Sequence, residues 1–267
     1  MVPFVKAHAC GNDFLVIEET LANGQHAAMA QKLCARNTSV GADGIEFLQR
    51  NKDGSLFLRL FNADGSEAEL SGNGTRCVAA WLALSEQRPV VKLGTHGGVR
   101  ACKVISSQGT QFLIESEMGV PQVKARTLEI SGVGVVAGAE VNVGNPHFVV
   151  FVESEEFSAH GMSWQQLGGM ICTSPLFPQG TNVEFVRVLS KSEIAFRIYE
   201  RGCGPTTSSG TGTCASATAA IALRGCDAAL KAHAEGGTQS VEWPAVEKPM
   251  QLTGPAEIVC VGKVATR

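Results

Sequence analysis

Ser71-Gly72-Asn73-Gly74-Thr75 returns 138 residues later as Ser209-Gly210-Thr211-Gly212-Thr213. Each copy leads into an apolar stretch rich in small residues, Val78 to Leu84 and Ala215 to Leu223. A serine and glycines ahead of such a run read as a helix start. Small side chains let that helix sit deep, wrapped by sheet. The same offset relates Phe61 to Tyr199, each closing a strand-like run, Leu56–Phe61 and Ile194–Tyr199. It also relates Ile45-Glu46-Phe47-Leu48 to Val183-Glu184-Phe185-Val186. A looser echo, at offset 133, joins Gly11-Asn12-Asp13-Phe14 to Gly144-Asn145-Pro146-His147-Phe148. One short glycine motif would mean little, but several matches at one spacing mean duplication.

The chain is therefore read as two similar α/β halves meeting within 115–135, taken as 1–125 and 126–267. A return of the last strand to the first half is left open. Each half alternates strand signals with one strong helix. Val90–Leu93, Val99–Ser106, Gln111–Glu115 and Val135–Val143 read as short strands broken by glycine and polar turns.

Composition narrows the function. A length of 267 residues suits one large domain or two smaller ones. The net charge of −3 lacks the basic excess of a nucleic-acid binder. No apolar run reaches the ~18 residues of a membrane helix. Met1 to Phe14 lacks the regions of a signal peptide, so a cytoplasmic, soluble protein is expected. The nine cysteines are odd in number and none has C-x-x-C spacing, which argues against a zinc site or a disulfide framework.

The paired helix starts carry the chemistry. A helix N-terminus exposes unpaired amides and about half a positive charge, and Gly-x-Gly admits a ligand close to them. Each copy is an anion site. Two such starts facing one another across a cleft between the halves would hold a carboxylate, with the group ahead of each glycine flanking the ligand. That arrangement suits two-base racemisation, in which one group removes an α-proton and the other reprotonates the opposite face. Amides aimed at the developing charge are the stabiliser available without a cofactor.

Several segments together resemble the diaminopimelate epimerase family. They are His8-Ala-Cys-Gly-Asn-Asp-Phe14, Asn62-Ala-Asp-Gly-Ser-Glu, Gly72-Asn-Gly-Thr-Arg-Cys77, Gly144-Asn-Pro-His147, Gly180-Thr-Asn-Val-Glu-Phe185, Glu200-Arg-Gly-Cys-Gly204 and Gly210-Thr-Gly212. The resemblance implies an α/β (α+β) fold of two pseudo-symmetric halves. Each would be a barrel-like, mainly antiparallel sheet around a central helix, with the active site in the cleft between them. It implies pyridoxal-phosphate-independent inversion at an amino-acid α-carbon, first of all that of diaminopimelate. It implies no metal or organic cofactor, a small amino-acid substrate and a homodimer. Asn12, Asn62, Asn145, Asn182, Glu200 and Arg201 match positions that grip the substrate in this family. The amides of Gly72, Asn73, Gly210 and Thr211 are expected to hold the α-carboxylate. Arg201 can fork onto a carboxylate.

The two catalytic cysteines of the family would stand just before Gly72 and Gly210, where this chain has Ser71 and Ser209. A helix start lowers a thiol's pKa enough to supply thiolate near neutrality, whereas a hydroxyl needs a neighbouring base. The serines are open to three readings: introduced to trap substrate, natural in a subgroup running a related reaction, or part of a scaffold kept for binding. A lyase on the same scaffold is the alternative chemistry, and an amino-acid binding protein the non-enzyme alternative. Pro205 stands where the family usually has glutamate before Thr206, which favours a natural subgroup. Among the remaining residues, His147 and His8 read as structural or substrate-lining. Cys77 and Cys214 read as core, and Cys10 and Cys203 as thiols in glycine turns. No third glycine or Gly-Lys-[Ser/Thr] completes a nucleotide motif.

Overall fold

The computed structural model describes residues 1–265. The chain forms two compact units: Met1–Glu117 with the strand that follows Thr253, and Met118–Leu252.

In the first unit, β1 (Val2–Ala9), β2 (Asn12–Glu18), α1 (His26–Leu33), β3 (Gly44–Arg50), β4 (Leu56–Asn62), β5 (Glu67–Ala68), α2 (Gly72–Glu86), β6 (Val90–Thr95), β7 (Gly98–Gln108) and β8 (Gln111–Glu117) follow in order. The strand after Thr253, part of β17 (Gln251–Val264), pairs with both β1 and β8. Eight strands thus close a ring, β1-β2-β3-β4-β6-β7-β8-β17. Most pairings are antiparallel, but β2–β3 and β4–β6 are parallel. Each parallel pair needs a crossover, and α1 and α2 supply them. Alternation along each strand divides the apolar residues. Val16, Leu48, Leu58 and Leu60 pack on Cys77, Val78, Ala80 and Leu82 of α2. Leu15, Ile17, Ile45, Phe47 and Phe61 pack on Ala30 and Leu33 of α1. Helices on both faces explain why these strands are nearly continuous in apolar residues.

The second unit repeats this plan with β9 (Gln122–Ile130), β10 (Gly134–Asn142), β11 (Pro146–Phe151), α3 (Trp164–Cys172), β12 (Asn182–Val188), β13 (Glu193–Glu200), β14 (Gly204–Thr206), α4 (Gly210–Arg224), β15 (Ala229–Ala234) and β16 (Gly237–Glu242). Here β11–β12 and β13–β15 are the parallel pairs. Val149, Val186, Phe196 and Ile198 cover Cys214, Ala215, Ala217 and Ala219 of α4. Phe148, Val150 and Phe185 cover Leu167 and Ile171 of α3. Pro205 has no amide hydrogen to give a ladder, and it lies in the three-residue β14.

The central helices begin where the repeat places them, at Gly72 and Gly210, with Ser71 and Ser209 as caps. The sequence reading gives one helix per half, whereas each unit has two. α1 has eight residues and no side-chain cap. α3 has nine, opened by a Ser163–Gln166 capping box. Both are short enough for their periodicity to be lost among flanking turns. No helix among the described residues is long and apolar enough to cross a membrane.

Candidate active site

In the first unit, Ser71 is extended and its Oγ accepts the Gly74 amide at 3.0 Å. Buried Asn73 follows in the first turn. Its Nδ2 donates to Asn12 Oδ1 at 3.1 Å, and its Oδ1 accepts from Arg76 Nη2 at 2.6 Å. Asn12 Nδ2 donates in turn to Asp43 Oδ2 at 2.7 Å. Arg36 bridges Asp43 and Asp13, and Lys6 also reaches Asp13. Burial opposes ionisation of Asp13, but Arg36 and Lys6 outweigh it and hold the carboxyl below the usual carboxylate range. Asn62 closes β4 opposite Gly44, beside Asp43, and donates to Ser66 Oγ at 3.0 Å. Ser71, Asn73 and Asn12 are thus joined through the helix start, and Asn62 ends the neighbouring strand.

In the second unit, buried Ser209 caps α4, its Oγ accepting the Gly212 amide at 3.2 Å and lying 3.3 Å from Thr211 Oγ1. Asn145 Nδ2 lies 3.5 Å from Thr211 Oγ1. His147 bridges Asn145 Oδ1, 2.9 Å from Nε2, and Glu184 Oε1, 2.6 Å from Nδ1. Asn182 donates to the Pro146 carbonyl at 3.0 Å and accepts the Arg201 amide at 3.0 Å. The Arg201 side chain is exposed and reaches the Gln179 carbonyl at 3.3 Å. Glu200 Oε1 accepts from Thr206 Oγ1 at 2.5 Å.

Sequence reasoning set Glu46 and Glu184 in the repeat but gave neither a role. Both are buried on the inner face, against the first turns of α2 and α4. Burial pushes the Glu46 carboxyl up to about 8. Burial also raises Glu184, opposed in part by His147. The available signal was a carboxylate between apolar neighbours in a strand buried on both faces, twice at one offset. The expected core cysteines Cys77 and Cys214 are buried; Cys10 is buried as well, and Cys203 is exposed. No disulfide joins the nine cysteines, and among the described residues no cluster of three or more His, Cys, Asp or Glu could hold a metal ion.

The fold is shared with known racemases and epimerases. A probable proline racemase from Agrobacterium radiobacter K84 superposes with a TM-score of 0.75 at 16% identity, covering 100% of this chain and 94% of the other. A hydroxyproline epimerase from Agrobacterium vitis superposes with a TM-score of 0.71 at 14% identity, covering 98% and 90%. In sequence, a diaminopimelate epimerase from Pelotomaculum thermopropionicum is 35% identical over 99% of both chains. One from Halothermothrix orenii is 35% identical over 98% of this chain and 97% of the other. The diaminopimelate epimerase family profile matches residues 4–124 and 139–259. The chain belongs to the diaminopimelate epimerase family, and so to the cofactor-independent amino-acid epimerases, which are isomerases.

Proposed function

We propose that this chain inverts the α-carbon of diaminopimelate, with Ser71 and Ser209 at the two proton-transfer positions. The observation that carries the reading is the duplicated cap. Each serine sits at a helix N-terminus and accepts the amide three residues on. Its oxygen is therefore fixed by the backbone while its hydrogen is left to pass to another group. The amides of Gly72, Asn73, Gly210 and Thr211 take the substrate carboxylate, aided by the helix dipoles. Asn12, Asn62, Asn145, Asn182, Glu200 and Arg201 take the remaining polar ends of the substrate. Asparagine serves a carboxylate and an ammonium alike, because its amide both donates and accepts. The 35% identity to diaminopimelate epimerases over nearly the whole chain supports this substrate.

The test is deuterium incorporation at the α-carbon of diaminopimelate in heavy water, followed by NMR. The unaltered protein is compared with the Ser71→Cys/Ser209→Cys double variant and with Arg201→Ala. A thiol at a helix start ionises near neutrality and a hydroxyl does not. Exchange should therefore rise at least tenfold in the double variant. Arg201→Ala should weaken calorimetric binding of diaminopimelate by at least tenfold. If neither serine nor cysteine form exchanges any amino acid that binds, the epimerase reading fails. Loss of a substituent without inversion would establish the lyase instead.

A further inference from the structure

The buried carboxyls of the two units occupy equivalent places with unequal surroundings. On β12, Glu184 lies opposite Val149, two residues beyond the His147–Asn182 pair. On β3, Glu46 lies opposite Val16, two residues beyond the Phe14–Gly44 pair. Phe14 thus stands where the second unit has His147. Glu184 Oε1 has its histidine at 2.6 Å, whereas Glu46 Oε1 is buried with no hydrogen-bond partner.

Glu46 is aimed at the helix start. A methyl group added to Gly74 would overlap Glu46 Oε1 outright and come within 2.8 Å of its Cδ. Gly74 is the residue whose amide binds Ser71 Oγ at 3.0 Å. The unpartnered Oε1 and the capped hydroxyl therefore converge on one residue. Because Ser71 Oγ accepts there, its own hydrogen is available to donate.

We propose that Glu46 is the proton acceptor for Ser71. As the substrate C–H bond breaks, Ser71 Oγ takes that proton while its own hydroxyl proton passes to Glu46 Oε1. The electron pair stays on the substrate carbon, and the reverse transfers restore the start. The step rests on the epimerase reading above. It supplies what a serine lacks, since a hydroxyl at this position needs a base. Burial raises the affinity of that base for a proton, bringing it near the operating pH. Ionisable groups around neighbouring Cys77 on α2 include Arg76 on the same helix, Cys10 in the β1–β2 turn, Asp13 on β2 and Glu46 itself. Val16 and Leu60, which flank Glu46 on β2 and β4, are apolar.

The experiment measures α-deuterium exchange of diaminopimelate across pH 6 to 10 for the unaltered protein, Glu46→Gln and Glu46→Leu, with thermal melting as the check of folding. Glu46 accepts a proton only when ionised, so exchange should climb through about pH 8. Both variants should lose that climb and fall at least tenfold at pH 9. A second readout needs no turnover. In the Ser71→Cys variant, alkylation of the introduced thiol by iodoacetamide is followed against pH by mass spectrometry, with and without Glu46→Gln. An ionised Glu46 disfavours the neighbouring thiolate, so Glu46→Gln should speed alkylation at least threefold at pH 8.5. Coincident alkylation profiles, or an exchange profile indifferent to Glu46→Gln, overturn the assignment. Absence of exchange in the unaltered protein alone would overturn the assignment of Glu46. Absence in the Ser71→Cys/Ser209→Cys variant as well would overturn the epimerase reading, and in that case the alkylation profiles would still decide whether Glu46 acts at position 71.

Discussion

Both units open their central helix with Ser-Gly-x-Gly, and both press a glutamate against its first turn, yet only one glutamate has a histidine beside it. In the second unit, Asn145, His147 and Glu184 form a hydrogen-bonded chain on the inner face. In the first, Phe14 occupies the place of His147 and Glu46 Oε1 has no hydrogen-bond partner. After duplication the backbone plan was kept and the polar interior was not. The difference teaches that pseudo-symmetry of fold need not carry symmetry in the surroundings of a buried carboxyl. A catalyst that must take a proton on one face and give one on the other can use that inequality.

The comparison is broken most severely by His147→Phe, which makes the second unit resemble the first. It leaves Glu184 buried and unpaired, and removing one partner of a buried pair costs about 3–5 kcal/mol. Chemical denaturation at pH 7 should show a loss of that size. Next comes Gly74→Ala, where the new methyl meets the Glu46 carboxyl in a packed interior. Overpacking of this kind costs about 1–3 kcal/mol. The equivalent Gly212→Ala first meets Ile198 Cδ1 at 2.5 Å, with Glu184 Oε1 at 3.1 Å, and a terminal methyl turns away more readily than a boxed carboxyl. Gly74→Ala should therefore be the worse of the two, and Glu46→Ala in the same chain should recover most of its loss. A cycle in which the two glycines cost the same would show that Glu46 is not confined. The smallest effect lies at the far ends of the helices. α4 stops at Gly225 with φ 67°, while α2 stops at Gln87 with φ 54°, a left-handed conformation that suits glycine. Gln87→Gly should stabilise by about 1 kcal/mol or less, visible as a small rise in Tm.

Much of the architecture was legible because duplication writes each signal twice. Ser71 and Ser209 mark both central helices, and the strand runs ending at Phe61 and Tyr199 mark both halves of the inner ladder. The short helices α1 and α3 were not legible: His26–Leu33 has no side-chain cap, and the Ser163–Gln166 box introduces only nine helical residues. The candidate site was read through its turn and cap formers, and the two glutamates behind it were passed over. A glutamate inside an apolar strand looks like a solvent-facing position until packing shows helices on both faces. Phe14 against His147 was visible as a mismatch in the repeat. Its meaning required the strand register that sets each residue two positions from a buried carboxyl.

The strand that seals the first ring has a temporal consequence. β1 precedes the whole second unit in the chain, but its partner along Val2↔Val264 through His8↔Glu257 follows it. While the ribosome makes the second unit, the nascent first unit has open edges at β1 and β8, which must wait for a strand not yet translated. Exposed edges invite pairing with other chains. Long-range closure of this kind also slows folding, since the intervening chain must be ordered first. Synthesis of the strand through Val264, rather than emergence of the rest of the first unit, sets the moment at which that ring can close and the surroundings of Ser71 can be completed.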